Sequence, residues 1–375
     1  MEKSDYPKVL FISRAYPPIL GGIENQNYEV SKSLSEIADV KIIANKFGRK
    51  MLPLFAPYAL FQTFFLLPKY DVILLGDGVL SIIGWFVKLF SKKPVISIAH
   101  GLDLNWNSSS LGVWYEKILI ALYKKLWVGI FFEKIDKFIA VGNTTIKEGV
   151  KLGIPEEKFV FVPNGVDAEK FLGTNDYSRR DLEKTINMNL SEKKVILTLG
   201  RLAKRKGVAW FVENVLPKLP ENIIYVISGD GPDKKNIKAA IKKTKQFDRV
   251  KLFGPATDPE KYLLYNTVDL FVQPNIKVAG DMEGFGLVVL EAAVCRRVVI
   301  TSELEGLKDA ITNGKNGFLV EPENAEKYAA KIKALLENDD VRKIFGERAR
   351  EFVKENYTWE NIAKKYLEEI EKVLK

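Results

Sequence analysis

Two glutamates, Glu283 and Glu291, flank a glycine-rich turn, and their type and spacing are the first indication of chemistry in this chain. The turn contains Gly284, Phe285 and Gly286, and the apolar run after it predicts a helix. A helix start offers backbone N–H groups and a positive dipole end to an anion. Along one helix, two turns would separate the carboxylates by about 12 Å on roughly the same side. This layout suits a ligand with hydroxyls on both sides of a phosphate, such as a nucleotide sugar.

A basic turn, GRLAKRKG at 200–207, is the second candidate. Arg201 and Lys206 lie around a predicted strand-to-helix turn, where a guanidinium and an ammonium would neutralise a diphosphate. Lys204 and Arg205 in the same turn are predicted to be solvated surface charges. The basic turn alone is compatible with a phosphate site or with an ordinary charged loop.

A glycine pair, Gly21 and Gly22, opens a predicted helix after the first strand. Glycines allow a phosphate to approach the backbone and the helix N-terminus. A tight strand-to-helix turn also requires glycine, so both interpretations stay open.

Composition bounds the class of protein. At 375 residues the chain exceeds what one core usually supports, and two domains are expected. A single histidine, His100, excludes a multi-histidine metal centre, and a single cysteine, Cys295, excludes an intramolecular disulfide. We expect Cys295 to be a small buried residue on a helix.

The net charge of +9 is divided almost evenly between the two halves, which does not favour a nucleic-acid partner. No secretory signal is visible at the N-terminus, so a cytoplasmic location is expected.

Short apolar runs alternate with helical stretches twice along the chain, which predicts an α/β protein of two doubly wound, Rossmann-like domains with parallel sheets. The predicted domains are 1–172 and 173–357, with a polar linker at 169–189. A final amphipathic helix at 358–375 packs on one of them and is a candidate for crossing back to the first. The predicted strands are 8–13, 40–44, 72–75, 95–99, 138–141, 159–162, 195–199, 223–228, 250–253, 270–273, 298–301 and 317–320.

The candidate residues follow these predicted strands. His100 follows the fourth strand, Arg201 the seventh, and the Gly229 and Gly231 loop the eighth. Ligands of open parallel sheets bind at the carboxyl ends of the strands. Two such domains facing one another across a cleft would bring these residues together.

These stretches together closely resemble the retaining glycosyltransferases of family 4, which have the GT-B fold. The likeness spans residues 15–291 in the order of the family and continues through NGKNGFLV at 313–320. The matching motifs are GGIE at 21–24, HGLD at 100–103, PNGVD at 163–167, GRL at 200–202 with KG at 206–207, GDGP at 229–232, and EGFG at 283–286 with Glu291.

The resemblance implies a role for each matching position. Glu283 would hold hydroxyls of the donor sugar, and Glu291 would bind the nucleotide ribose. Arg201 and Lys206 would hold the diphosphate, while the backbone of Gly22, next to Gly21, would meet its distal phosphate.

Further positions would complete the donor site. His100 would lie near the donor sugar at the reacting centre, with Asp103 close to it. The residues implied to line the base pocket or to hold the donor by their backbone are Gly229, Gly231, Phe253, Gly254, Gly284, Phe285, Gly286 and Leu287. One stretch, 303–308, departs from the glycine-rich sequence that usually starts the following helix.

The implied reaction is transfer of a hexose-type sugar from a UDP- or GDP-linked donor, with retention, to a glycan, lipid-linked or other acceptor in cell-envelope polysaccharide synthesis. No metal and no cofactor besides this donor substrate are expected. The alternatives are a sugar-nucleotide epimerase or a phosphorylase on the same fold, or a non-catalytic nucleotide-sugar-binding membrane protein.

Two segments are candidates for contact with the inner face of a membrane. Residues 51–68 carry no charge, but Pro53 and Pro57 interrupt them, and a transmembrane span is not predicted. Residues 114–134 interleave aromatic side chains with lysines, a pattern that suits an anionic membrane surface or a helix buried against the sheet.

Overall fold

The computed structural model describes residues 6–19, 21–101, 122, 124–172 and 177–375. The chain divides into two compact units. The first is Met1–Gly165 together with Trp359–Lys375, and the second is Val166–Thr358. Each unit has its own six-stranded parallel sheet with helices packed on it.

The first unit has the strand order β2-β1-β3-β4-β5-β6. Its elements are β1 Lys8–Ser13, α1 Gly22–Leu34, β2 Asp39–Ala44, α2 Leu52–Leu66, β3 Val72–Leu75, α3 Ser81–Phe90, β4 Val95–Ala99, a π-helical segment Lys124–Phe131, β5 Lys137–Ala140, α4 Asn143–Lys151 and β6 Phe159–Phe161.

The second unit has the strand order β12-β11-β10-β7-β8-β9. Its elements are α5 Ala168–Leu172, α6 Arg179–Ile186, β7 Lys194–Leu199, α7 Val208–Asn214, β8 Ile223–Ser228, α8 Lys234–Thr244, β9 Val250–Gly254, α9 Asp258–Thr267, β10 Leu270–Gln273, α10 Leu287–Val294, β11 Val298–Ser302, α11 Leu307–Ala310, β12 Phe318–Val320, α12 Ala325–Leu336 and α13 Asp339–Tyr357. Helix α14, Trp359–Leu374, ends the chain.

The predicted α/β architecture is confirmed. Each predicted strand is present, with ends that differ by no more than one residue. The strands could be located because a parallel strand buried on both faces requires a continuous apolar run, as in β3, where all four residues are buried.

The polar stretch predicted as a linker, 169–189, is instead largely helical and belongs to the second unit. Ser178 and Asp181 form a capping box that starts α6. Leu182 and Ile186 are fully buried, so the helix packs on the unit despite its charged outer face. Two apolar residues one turn apart are a weak signal among so many polar ones.

Helix α14 belongs to the first unit, although it follows the whole second unit in the sequence. Its buried side chains Trp359, Ile362 and Tyr366 share a core with strand β1. The backbone at Gly165 lies so close to the Trp359 ring that a Cβ there would be 2.6 Å from it.

Candidate functional site

The loops after four neighbouring strands of the second sheet, β11, β10, β7 and β8, lie at one edge because the strands are parallel. The loop after β7 carries the basic turn, and the loop after β10 carries Asn275 and Glu283. The loop after β8 carries Gly229, and the loop after β11 carries Glu305. The chain therefore collects most candidate residues of this unit at the edge where such folds bind ligands.

Glu283 is buried and forms an ion pair with Lys206. The Lys206 Nζ lies 2.5 Å from the Glu283 Oε2, and both side chains are about nine-tenths buried. Asn275 donates a hydrogen bond of 3.1 Å to the same oxygen and is itself oriented by Gln273. The lysine that the resemblance assigns to the diphosphate and the carboxylate that it assigns to the sugar thus contact each other in this structure.

Arg205 also takes part in this cluster, and its prediction as a solvated charge is wrong. Its Nε lies 3.6 Å from the Glu283 Oε2, and its Nη1 lies 3.2 Å from the Asp281 Oδ1. The Arg205 backbone carbonyl accepts a 2.9 Å hydrogen bond from Ile276, which holds the basic turn against the loop after β10. This packing turns the side chain inward, whereas Lys204 stays exposed.

The 303–308 stretch, where the sequence departs from the family pattern, contacts Glu283 through Glu305 and Gly306. The Glu283 backbone N–H donates a 2.6 Å hydrogen bond to the Glu305 Oε2. The Gly306 N–H donates one of 3.2 Å to the Glu283 carbonyl. Glu305 has a left-handed backbone, φ 48°, which few non-glycine residues adopt. A glutamate at this position adds a side-chain acceptor that orients the Glu283 backbone.

The Glu283 carboxylate is held in its ionised form. Burial by itself would raise its pKa, but the charges of Lys206 and Arg205 and the hydrogen bonds from Lys206 and Asn275 outweigh it and lower the pKa to about 2. Burial raises the pKa of the nearby Glu305. The cluster therefore holds Glu283 as a permanent anion at neutral pH.

Glu291 has a separate set of partners on α9. The Tyr265 hydroxyl donates a 2.8 Å hydrogen bond to its Oε2, and the Lys261 Nζ lies 3.9 Å away. Helix α10 begins at Leu287, so Glu283 lies before the helix. The 12 Å estimate assumed that one helix carries both carboxylates, and it does not apply.

Close backbone packing fixes the glycines around the site. A Cβ on Gly207 would lie 1.9 Å from the Pro274 carbonyl oxygen, and one on Gly229 would lie 1.8 Å from the Gly200 carbonyl oxygen. Both glycines have positive φ. The Gly229 N–H donates a 2.7 Å hydrogen bond to the Gly254 carbonyl, which joins the loops after β8 and β9. Gly231 approaches the Leu202 carbonyl in the same way. Phe253, at the end of β9, is partly exposed.

The turn before α10 also has the predicted form. Gly286 is the N-cap of the helix, and Phe285 is buried, while Gly284 and Leu287 are partly exposed. Arg201, at the end of β7, is exposed and has no ion-pair partner among the described residues. An exposed guanidinium without an ion-pair partner can receive an anion without first breaking an ion pair.

Gly22 and His100 follow strands of the first unit. Gly22 begins α1, with Gly21 as N-cap, and a Cβ on Gly22 would meet no atom within 4 Å. His100 is buried just after β4, and its Nε2 donates a 2.8 Å hydrogen bond to the Gly76 carbonyl. This bond orients the ring. Asp103 lies outside the described residues.

Sequence reasoning missed several partners at these edges. In the first unit, Arg14 after β1 forms a 2.8 Å ion pair with the buried Asp77 after β3. In the second unit, the missed residues are Arg205, Asn275 and Glu305. A signal was available, because polar side chains directly after buried parallel strands are expected at a binding edge. Cys295 is buried as expected, and it caps α10 rather than lying within it.

Both units are doubly wound, and the whole chain has the GT-B fold. HepE of Anabaena, solved in complex with UDP, superimposes with a TM-score of 0.75 over 97% of this chain and 100% of that chain at 17% identity. The family model for glycosyl transferases group 1 matches residues 180–352, and that for glycosyltransferase family 4 matches residues 20–170. The chain belongs to these group 1, family 4 glycosyltransferases.

Relatives match along nearly the full length. An uncharacterised glycosyltransferase of Methanocaldococcus jannaschii is 25% identical over 98% of this chain and 99% of its own. The N,N'-diacetylbacillosaminyl-diphospho-undecaprenol alpha-1,3-N-acetylgalactosaminyltransferase of Campylobacter jejuni is 26% identical over 92% of this chain and 89% of its own.

Proposed function

We propose that this glycosyltransferase moves a hexose-type sugar from a UDP- or GDP-linked donor to a glycan or lipid-linked acceptor, retains the anomeric configuration and requires no metal ion. The observation that carries the proposal is the buried, permanently ionised Glu283, held by Lys206 and Arg205 a few residues from the exposed Arg201. A fixed carboxylate accepts hydrogen bonds from sugar hydroxyls, and the basic turn receives the diphosphate.

The leaving group is the diphosphate, and its negative charge grows as the anomeric C–O bond breaks. Preorganised cations stabilise that charge most, and each contributes about 2 to 4 kcal/mol in a site without water. Arg201 and Lys206 would supply this charge in place of a divalent ion. Glu291, held by Tyr265, would accept hydrogen bonds from the ribose.

Retention without a glutamate nucleophile fits the state of Glu283. A carboxylate whose charge is neutralised by Lys206 and Arg205 attacks an anomeric carbon poorly. We propose that the acceptor enters on the face from which the diphosphate leaves, and that a donor phosphate oxygen takes the acceptor proton. The hydrogen bond from His100 to the Gly76 carbonyl orients the imidazole ring, and we propose that this ring contacts the donor sugar.

The donor and acceptor classes draw support from the relatives. HepE is solved with UDP, and the C. jejuni enzyme acts on an undecaprenol-linked sugar. A lipid-linked or glycan acceptor and a nucleoside diphosphate sugar are therefore the substrates to test.

Arg201→Ala tests the donor site, with Lys204→Ala as the matched control in the same turn. We expect Arg201→Ala to lower transfer, or donor hydrolysis without acceptor, by roughly 10²- to 10³-fold. Lys204→Ala should stay within about twofold, because this exposed lysine matches no donor-binding position of the family. Equal activity of both variants and wild type would refute the assignment of the diphosphate site.

A thermal-shift panel of nucleoside diphosphates and their sugars would identify the base. A donor at 100 times its dissociation constant should stabilise the protein by about 2.7 kcal/mol. NMR of the product anomer tests retention, and activity in excess EDTA tests metal independence. An inverted product, or complete loss in EDTA, would contradict the corresponding part of the proposal.

A further inference from the structure

Helix α2 has apolar residues on its outer face as well as on its inner face. Phe55, Ala59 and Thr63 are buried against the core. The opposite face exposes side chains at the spacing of one helix side, in a helix with no charged residue. These are Leu54 at 67%, Tyr58 at 55%, Phe61 at 61% and Phe65 at 58% exposure. A helix that is apolar all round is normally covered on all sides, so this face needs an apolar partner.

Helix α3 continues the exposed face. Phe64 of α2 contacts Phe86 and Phe90 of α3, with ring centroids 6.5 and 6.0 Å apart. Leu89 and Phe90 are 56% and 61% exposed. The aromatic side chains of the two helices therefore form one surface rather than isolated exposed residues.

The second predicted membrane segment adjoins the same helix. Within its described part, Phe131 contacts Trp85 of α3 at 5.9 Å, and Ile130 is 38% exposed. Described residues of the two segments that the sequence marks separately, 51–68 and 114–134, thus both contact α3. We call the exposed face of α2, α3 and Lys124–Phe131 the aromatic face. The rest of the second segment lies outside the described residues.

Lysines predominate among the charges near the aromatic face, although the exposed Asp71 and Glu133 also lie near the ends of its elements, with Glu133 3.6 Å from Lys134. Exposed lysines stand at or near the ends of these elements, and the three elements contain no aspartate or glutamate. The lysines are Lys50, Lys69, Lys92 and Lys125. Two further lysines are already bound within the protein. Lys88 forms a 2.6 Å ion pair with Asp136. Lys93 donates hydrogen bonds to the carbonyls of Leu67 and Pro68.

We propose that the aromatic face docks the protein on an anionic lipid bilayer, with its aromatic side chains in the interface and its lysines on the lipid phosphates. Exposed aromatic side chains with lysines at the ends of the same elements are the composition of surfaces that lie in such an interface. A second copy of the chain fits less well, because its aromatic face would bring more lysines than carboxylates to meet the lysines of the first. None of the described helices is long and apolar enough to span a bilayer, and the face needs only to lie on it.

Co-sedimentation with lipid vesicles tests the proposal. The variant combines Phe61→Ser, Phe65→Ser and Phe90→Ser, which replace three exposed rings. The control is Phe247→Ser in the second unit, where the ring is equally exposed at 61%. Vesicles contain phosphatidylcholine alone or with phosphatidylglycerol, at low salt and at about 0.5 M salt.

We expect wild type and the Phe247→Ser control to bind vesicles with phosphatidylglycerol, and salt to weaken binding. The triple variant should bind at least tenfold more weakly, since three rings no longer leave water. Lys50→Gln with Lys69→Gln should lower binding roughly tenfold on the anionic vesicles only.

Three results would overturn the proposal. One is no binding of wild type to anionic vesicles at low salt. Another is unchanged binding of the triple variant. The third is a wild-type dimer in sedimentation that the triple variant converts to a monomer without vesicle binding, which would assign the face to a second copy. Circular dichroism and thermal unfolding check that the variants are folded. If the triple variant does not fold, Phe61→Ser alone replaces it in the vesicle-binding test. Binding of the sugar donor should be unchanged in every variant. A negative result for membrane binding would therefore not contradict the proposed glycosyltransferase reaction.

Discussion

At the scale of single residues, the site is a set of charges that balance one another around Glu283. Lys206 neutralises it directly, Arg205 joins it to Asp281, and Glu305 orients its backbone. Removing one partner from a buried ion pair leaves an uncompensated charge, which costs more than the pair itself contributes. The residues of this cluster should therefore affect both stability and donor binding.

The pH dependence of stability should reveal the ionised Glu283. Its folded pKa of about 2 is below the ordinary value of 4.5, so its stabilising contribution is complete above pH 4.5 and is lost as the pH falls towards 2. At pH 7, Glu283→Gln should lower the free energy of unfolding by about 3 kcal/mol, because Lys206 stays buried without a counter-ion.

Hydrogen exchange in strands β7 to β10 measures the difference in the free energy of unfolding between Glu283→Gln and wild type, at pH 7 and near pH 3. The difference in stability between variant and wild type should narrow near pH 3, because Glu283 is protonated in the unfolded wild-type chain but still mostly ionised in the folded protein. A gap that is constant with pH would show that Glu283 is not the group responsible.

Arg205 should act as a positioning residue. Arg205→Gln removes the charge that links Asp281 to Glu283, while Lys204→Gln removes an exposed charge from the same turn. We expect Arg205→Gln to raise KM for the sugar donor about tenfold, with a smaller change in affinity for the free nucleoside diphosphate. Partial rescue by Arg205→Lys would support an electrostatic role. An equal loss of affinity for both ligands would instead place Arg205 on the diphosphate.

At the scale of elements, the loops after parallel strands position the site, and backbone contacts between those loops hold it. The basic turn packs on the loop after β10, with Gly207 against Pro274. The loop after β8 packs on the start of the basic turn in the same manner, with Gly229 against Gly200. Small residues here are a packing requirement as well as a feature of phosphate-binding loops.

Two glycine substitutions should separate packing from ligand contact. Gly207→Ala places a Cβ 1.9 Å from a carbonyl oxygen and should destabilise the second unit by at least about 2 kcal/mol. Gly22→Ala adds a Cβ in open space at the start of α1 and should leave thermal unfolding unchanged. If a donor phosphate approaches the Gly22 backbone, the alanine should still weaken donor binding in calorimetry. Unchanged affinity would remove Gly22 from the site.

At the scale of the whole molecule, the chain leaves its first unit after Gly165, forms the second, and returns through α14. The last seventeen residues therefore complete the core of a sheet whose strands were made at the start of the chain. We therefore expect the stability of the first unit to depend on α14, although the whole second unit separates this helix from the first unit in the sequence.

Ile362→Ala in α14 should destabilise the first unit by about 2 to 5 kcal/mol, since its side chain is fully buried. The control is Lys364→Ala, two residues further along the helix, where the side chain is exposed. Hydrogen exchange should show the loss in β1 and α1, with the strands of the second unit protected as in wild type. Loss confined to the second unit would contradict the packing of α14.

The sequence by itself determined the fold class, the twelve strands and the class of the enzyme, because apolar periodicity and short motifs are local properties of the chain. It also predicted the sheet edges at which ligands are expected, since ligands of open parallel sheets bind at the carboxyl ends of the strands. Only the tertiary structure decided the partners of Glu283. Arg205 and Glu305 lie 78 and 22 residues from it in sequence and meet it through loop packing. Only the tertiary structure also showed that α14 packs on the first unit and that α3 joins two separately predicted segments into one aromatic face. The physical reason is that contacts between distant segments depend on how the elements pack, and such contacts produce no periodic pattern in the sequence.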